Sequence, residues 1–272
     1  MNRSFTTAIV RQPSSEMVHG ITTANLGKPD FARALEQHHN YVKALESCGL
    51  QGRILESDGR FPDSVFIEDV ALCTPRCAVI TNPGAASRKG ETAGMREVLS
   101  EFYRDIEEIR PPGTLEAGDV MMVDDHFFIG LSRRTNQQGG VQLIGILEKF
   151  GMSGSMVPLQ KLLHLKSGVS YLENNNLLVC REFIDFPGFE SLNRIEVPAH
   201  EAYAANALWI NGTVLVPLGF PVTQANIEKA GYPVIIVDVS EFQKLDGGLS
   251  CLSLRLSTFA VTKQGRDRKP PP

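Results

Sequence analysis

The sequence predicts an α/β protein built as a closed ring of five αβ units, and three observations lead there. Two short apolar runs around a polar turn, followed by a helical stretch, return along the chain at a pitch of roughly 40 to 50 residues, the range of repeat architectures. Each unit carries a helix as well as strands, which sets it apart from an all-β blade. The last unit supplies one strand whose partner is found at the N-terminus, so the stack closes on itself and hides its edges.

Taken in order, "TTAIVRQP" (6–13) reads as a strand and precedes the helix "DFARALEQHHNYVKALESCG" (30–49). The two clearest copies follow. "DVALCTPRCAVITNPG" (69–84) leads into "GETAGMREVLSEFY" (90–103), and "DVMMVDDHFFIGLSRRTN" (119–136) leads into "GGVQLIGILEKFG" (139–151). The hairpin recurs in "SGVSYLENNNLLVCREF" (167–183) and in "ALWINGTVLVPLGFP" (207–221), the latter followed by "TQANIEKAG" (223–231). "CLSLRLS" (251–257) is the closing strand, to be paired with 6–13.

Composition narrows the function. The chain has 272 residues, 42% hydrophobic and 21% charged, enough to bury a substantial core. A formal net charge of -4 gives no electrostatic footprint for nucleic acid. The N-terminus lacks the apolar stretch of a secretory signal and no apolar run approaches the roughly 20 residues of a membrane span, so a cytoplasmic protein without a membrane partner is expected. Five cysteines, Cys48, Cys73, Cys77, Cys180 and Cys251, form no dense framework, and reduced thiols follow. Cys73 and Cys77 flank a hairpin turn, and without a second pair a structural zinc is disfavoured. Cys48 and Cys180 read as small buried hydrophobes. Cys251 differs, because the glycines of "LDGGLSC" allow a tight bend and close approach of a ligand.

The polar residues fall into register with the repeats. Glu68 and Asp69 precede the first hairpin, Glu116 and Asp119 the second, His164 the third hairpin and Cys251 the last strand. Each alone is most often a turn or core residue. At the same place in successive units of a ring, they converge on one axial pocket. Thiol, imidazole and several carboxylates suggest covalent catalysis on a cationic electrophile: a cysteine nucleophile, a histidine that moves protons and acids that bind the cation. A guanidinium fits, being planar, positively charged and rich in N–H donors that carboxylates accept in a fork.

In "FPDSVFIEDVALC", "ITNPGAASRKGE", "LEAGDVMMV", "IGLSRRTNQQG", "LLHLKSG" and "LDGGLSCLSLRL" the chain resembles the dimethylarginine dimethylaminohydrolases, over about residues 8–256. These belong to the guanidino-group-modifying, or pentein, superfamily. The resemblance implies a five-bladed α/β-propeller with pseudo-five-fold symmetry and its site on the central axis. It makes 1–257 a single catalytic domain and leaves 258–272 as a tail without counterpart, expected to fray.

Where motifs match, the resemblance carries roles. Cys251 would be the nucleophile, His164 the general acid and base, and Glu116 the carboxylate that touches both guanidinium and histidine. Asp69 would be the second guanidinium acceptor, with Glu68 beside it. Arg88 and Arg134 would clamp the substrate's α-carboxylate and Asp63 its α-ammonium, helped by backbone carbonyls near Ile21 and Leu245. Asp246 would support the cysteine turn. Ile21 lies in "VHGITTANLG", which resembles the family's mobile flap. The implied reaction is hydrolysis of asymmetric dimethyl- or monomethyl-L-arginine to L-citrulline and an alkylamine, with no cofactor and no metal. The partner implied is a small-molecule substrate, and a homodimer stays open.

Three competing functions are weighed by residues. Arginine deiminases of the same superfamily read "HLD" where this chain reads "HLK" with Lys166, and asymmetric dimethylation reduces the guanidinium's five N–H donors to three. An acid facing the methylated nitrogen would be left desolvated and unpaired. The chain is also shorter than those deiminases, and "FIED" replaces their "FxRD". A non-catalytic arginine-binding module would be marked by loss of Cys251 or His164, and both are present. A metal-dependent hydrolase lacks the expected ligand spacing.

Overall fold

The structure, a computed structural model, describes residues 4–257, and the tail 258–272 lies outside them. Strand β1 (Thr7–Arg11) runs through its own helix α1 (Phe31–Ser47) to β2 (Gln51–Leu55), which pairs parallel to it. The Asp30 side chain accepts from Arg33 N and so caps α1, whose inner stripe of Ala34, Gln37, His38, Tyr41, Val42, Ala44 and Leu45 follows the helical period. Gly49, at φ +90°, lets the chain turn out of that helix.

The second blade is β3 (Ala71–Cys73) against β4 (Ala78–Ile80), then α2 (Met95–Ser100), then β5 (Ile106–Glu108) parallel to β4. The third repeats this with β6 (Val120–Val123), β7 (His126–Leu131), α3 (Gln137–Lys149) and β8 (Ser153–Pro158). Asn136 caps α3 through Gly139 N and also accepts from Thr114 N, which ties the helix start to the preceding blade. In the fourth blade, β9 (Val169–Tyr171), β10 (Asn176–Val179) and β11 (Asn193–Glu196) are joined without an α-helix. Short 3-10 turns at Arg181–Phe183 and Pro187–Phe189 take its place and pack Phe183, Phe186 and Phe189 against one another. The fifth has β12 (Leu208–Ile210), an Asn211–Gly212 turn, β13 (Thr213–Pro217), α4 (Pro221–Lys229) and β14 (Val234–Val237). A short helix α5 (Ser240–Gln243) then leads to β15 (Leu254–Leu256), which pairs antiparallel with β1, Thr7 opposite Leu256.

The five three-stranded sheets are thus one pattern repeated, an antiparallel pair followed by a parallel third strand, and the ring closes between the chain's two ends as expected. The third strand of each blade is the element the repeat reading lacked. Four of the five lie on outer edges with polar sequences, QGRIL, IEE, SGSMVP and NRIE, so no apolar run announces them. Cys180 is fully buried, but Cys48 is only half-buried, because it ends α1 and offers its carbonyl to Asn211 Nδ2. No helix among the described residues is long and apolar enough to cross a membrane.

What positions the site is the inner end of each blade. A short 3-10 turn precedes the first hairpin strand at Ile67–Val70, Ala117–Asp119, Leu165–Ser167 and Ala199–Ala205, and another, Ser250–Leu252, precedes β15. Because the strands repeat around an axis, these turns meet at its centre, where small residues permit close approach. A Cβ on Gly118 would lie 2.7 Å from Asp69 Oδ1 and 2.8 Å from His164 Nδ1.

Candidate active site

The axial turns enclose a cavity of about 40 Å³ lined by Ile21, Asp63, Phe66, Asp69, Arg88, Glu116, Arg134, Leu163, His164, Leu245, Asp246, Gly247 and Cys251. Ten of the eleven residues to which the resemblance gives roles therefore line one space. Glu68 is the exception. It lines an adjoining chamber of about 300 Å³, which shares Leu163, His164, Asp246 and Cys251 with the first.

His164 Nε2 lies 2.9 Å from Glu116 Oε2, and both residues are buried. Burial disfavours the imidazolium, but Asp69, Asp119 and Glu116 together outweigh it and raise His164 to about 9. Burial likewise works to raise Glu116, yet its bond to His164, with Arg88 and Arg134 nearby, carries it down to about 2. Behind them Asp119 accepts from Leu165 N and Ser132 Oγ, and burial lifts it to about 6. Cys251 sits in the Ser250–Leu252 turn with Gly248 N 3.4 Å from its sulfur. Desolvation first, then Glu68 and Asp69, push its thiol up to about 12. At neutral pH these shifts leave Cys251 a thiol, His164 an imidazolium and Glu116 a carboxylate.

The cation partners are arranged differently from the sequence expectation in two places. Glu68 accepts from Ser250 Oγ at 2.8 Å through Oε2, while its Oε1 meets Lys166 Nζ at 2.6 Å and Arg255 Nη2 at 2.7 Å. Its oxygens are engaged beneath the cysteine turn rather than turned to the guanidinium cavity. Asp246 does not brace the cysteine turn with its carboxylate. Its Oδ2 accepts from Thr23 N at 2.5 Å and from Thr23 Oγ1 at 3.0 Å, which fastens the flap, and Thr22 Oγ1 adds a bond to Lys244 O. Its backbone is left-handed, φ 59°, at the start of the Gly247–Gly248 bend.

Asp63 accepts from Ile21 N at 3.0 Å, so the flap residue and the expected ammonium partner are in contact; burial raises Asp63, opposed by Arg88. Arg88 is buried, with Nη1 2.6 Å from Asp69 Oδ2 and its other edge on Glu91. Arg134 Nη1 stands 3.6 Å from Glu116 Oε1.

Sequence reasoning passed over Asn206, Glu91 and Arg255. Asn206 follows the fifth blade's axial turn, the register that singled out the other polar residues, and so was within reach of the same argument. It donates to Lys166 O and Ser250 Oγ and accepts from Ser250 N, joining two blades beside the nucleophile. A metal-capable set does exist, since ligand atoms of Asp69, Glu116 and His164 lie within 4.8 Å of one another. Arg88 and Arg134 already bring positive charge to two of these carboxylates, and the set suits an organic cation of the same planar kind.

Comparison with known proteins shows the family. The family model for N,N dimethylarginine dimethylhydrolase, eukaryotic, matches residues 26–185. An N(G),N(G)-dimethylarginine dimethylaminohydrolase of Pseudomonas aeruginosa is 54% identical over 252 residues, spanning 92% of this chain and 99% of that protein. A crystal structure of the Pseudomonas aeruginosa enzyme, a cysteine-to-serine variant complexed with citrulline, superposes with a TM-score of 0.92 over 93% of this chain and all of that one. A histidine-to-glycine dimethylarginine dimethylaminohydrolase captured as an adduct with S-methyl-L-thiocitrulline gives a TM-score of 0.91 at 54% identity, again over 93% of this chain and all of that one. This chain belongs to the dimethylarginine dimethylaminohydrolase family.

Proposed function

We propose that this protein hydrolyses Nω-methylated L-arginine, a small-molecule substrate, to L-citrulline and an alkylamine, with residues 1–257 acting as one catalytic domain in the cytoplasm. The observation that carries the reading is that Cys251, the His164–Glu116 pair, Asp69, Arg88, Arg134 and Asp63 line one buried cavity. Such a cavity offers both a nucleophile for a guanidinium carbon and opposite charges for a zwitterionic amino-acid end.

The chemistry follows from the protonation states. Bound between Asp69 and Glu116, the guanidinium brings positive charge beside Cys251, lowers the cost of the thiolate and is itself the electrophile. As the thiol ionises its proton passes to water, and the sulfur attacks the guanidinium carbon to give a tetrahedral adduct. The His164 imidazolium, raised to about 9, gives its proton to the departing methylated nitrogen as the C–N bond breaks, leaving a thiouronium on Cys251. Neutral His164 then takes a proton from water, whose oxygen adds to the same carbon. The C–S bond breaks as the adduct's hydroxyl becomes the carbonyl of citrulline, and the proton it sheds returns the thiolate to a thiol. Glu116 steadies the imidazolium before the first proton transfer and again after the second.

Citrulline release from asymmetric dimethylarginine, monomethylarginine and arginine, assayed side by side, tests the reading. Turnover of the methylated forms above arginine is expected. Faster turnover of arginine would assign the chain to deiminase chemistry instead, and activity lost to a chelator and restored by metal would favour the Asp69–Glu116–His164 set as a metal site.

A further inference from the structure

We propose that Glu91 is a positioning residue for substrate recognition, holding Arg88 so that one edge alone of its guanidinium is offered to the substrate's α-carboxylate. The inference rests on reading Arg88 as that clamp. Glu91 does not line the cavity; Arg88 does. The two share the 3-10 helix Ala86–Thr92, where residues three apart lie one above the other, and both are 5% exposed.

Glu91 takes the back of the guanidinium completely. Arg88 Nε lies 3.1 Å from both Glu91 oxygens and Nη2 lies 2.8 Å from Oε2. Nη2 also donates to Phe66 O at 3.0 Å and toward Asp63 O at 3.4 Å. Among the described residues, Nη1 has one partner, Asp69 Oδ2 at 2.6 Å. Glu91 helps Asp69 to keep the buried Arg88 charged, but that alone does not require the paired contacts it makes. Asp69 already balances Arg88, and a second buried acid works against an incoming carboxylate. Its value must be geometric: a guanidinium pinned through Nε and Nη2 cannot rotate to meet Asp69 with both terminal nitrogens.

That constraint links the two ends of the ligand. Asp69 keeps its place through Oδ1, which accepts from Gly118 N at 3.0 Å, so its Oδ2 can pass from Arg88 to the substrate's guanidinium. Arg88 Nη1, released but still held from behind, then faces the substrate's carboxylate. Without Glu91 the fork keeps the Phe66 and Asp63 carbonyls but loses its paired anchor, and can turn to close on Asp69 in a bidentate pair, the arrangement carboxylates and arginines favour. Both recognition groups would then be withdrawn together, while Cys251, His164 and Glu116 would be untouched.

The test is a double-mutant cycle on the full chain, reading KM and kcat for asymmetric dimethylarginine in wild type, Glu91→Gln, Arg88→Ala and the double variant. Glu91→Gln should raise KM about tenfold with kcat within about threefold. In the Arg88→Ala background the same change should move KM less than about twofold. An equal rise in both backgrounds, a fall in kcat at constant KM, or no change would overturn the assignment. If Glu91→Gln does not fold, Glu91→Asp is read by the same criteria. A wild-type chain that releases no citrulline would sink the functional reading itself, whereas normal wild-type turnover with an additive cycle removes Glu91 alone.

Discussion

His164 Nε2 and Glu116 Oε2 meet at 2.9 Å across two blades of the ring, each at the inner end of its own repeat. The pair keeps a proton on the imidazole and aims the ring at the space beside Cys251. His164→Gly should abolish turnover, because no other described residue lining the cavity is placed to protonate the amine, and Cys251→Ser should do so by removing the nucleophile. Circular dichroism of both variants should match the wild type. Sustained citrulline release by the serine variant would remove the covalent mechanism.

The same pair makes a statement about stability. The folded state raises His164 from 6.5 to about 9, so it binds the proton more tightly than the unfolded chain does. The stabilisation is complete below about pH 6.5 and is lost as pH rises through about 9. Thermal melts of wild type and His164→Gln from pH 6 to 10 should therefore converge toward the alkaline end. A gap that widens with pH would give the coupling the wrong sign.

Arg88 and Arg134 approach the cavity from different elements, and each has an acidic neighbour, Asp69 for one and Glu116 for the other. Removing either leaves the substrate's carboxylate short of a charged hydrogen bond, worth about 1.5–3 kcal/mol. Arg88→Ala or Arg134→Ala should raise KM about 10- to 100-fold. Steady-state kinetics that show unchanged kcat/KM for either variant would take that residue out of the clamp.

The repeat and its closure were legible because β3–β4, β6–β7, β9–β10 and β12–β13 are apolar hairpins, and apolar periodicity is what burial writes into a sequence. The parallel third strands were not, since a segment such as Gln51–Leu55 is held by backbone pairing with exposed side chains. Among the polar residues, position at the start of a unit was readable. Which acid faces the cavity and which faces a lysine was not. Glu68 and Asp69 are adjacent, yet the turn at Ile67–Val70 sends one toward Lys166 and Arg255 and the other toward Arg88.

Lys166 was chosen in the sequence for what it lacks, a carboxylate against the guanidinium. In the fold its ammonium is engaged, 2.6 Å from Glu68 Oε1, beneath the turn that carries Ser250 and Cys251. Replacing it with the deiminase residue would set two acids side by side in a buried place. Lys166→Asp should lose about 3 kcal/mol of folding stability, by the usual cost of breaking a buried pair, without gaining arginine turnover. Urea unfolding gives the first quantity and citrulline release from arginine the second. An aspartate variant as stable as wild type would show that Arg255 and Ser250 alone suffice for Glu68.

Cys251 presents the sharpest conflict in the site, because desolvation and the acids Glu68 and Asp69 hold the attacking group protonated, up to about 12. A permanent thiolate–imidazolium pair is disfavoured by the same charges, since His164 already has Glu116 as its anion at 2.9 Å. The substrate guanidinium supplies the missing positive charge, and the sulfur should ionise only when a cation is bound. Alkylation of Cys251 by a neutral reagent should therefore be slow in the free protein from pH 6 to 9 and rise only toward the alkaline end. A non-hydrolysable cationic ligand small enough to leave the sulfur accessible should shift that profile to lower pH. A free thiol that titrates well below neutrality would show that the enzyme charges its nucleophile without help from the substrate.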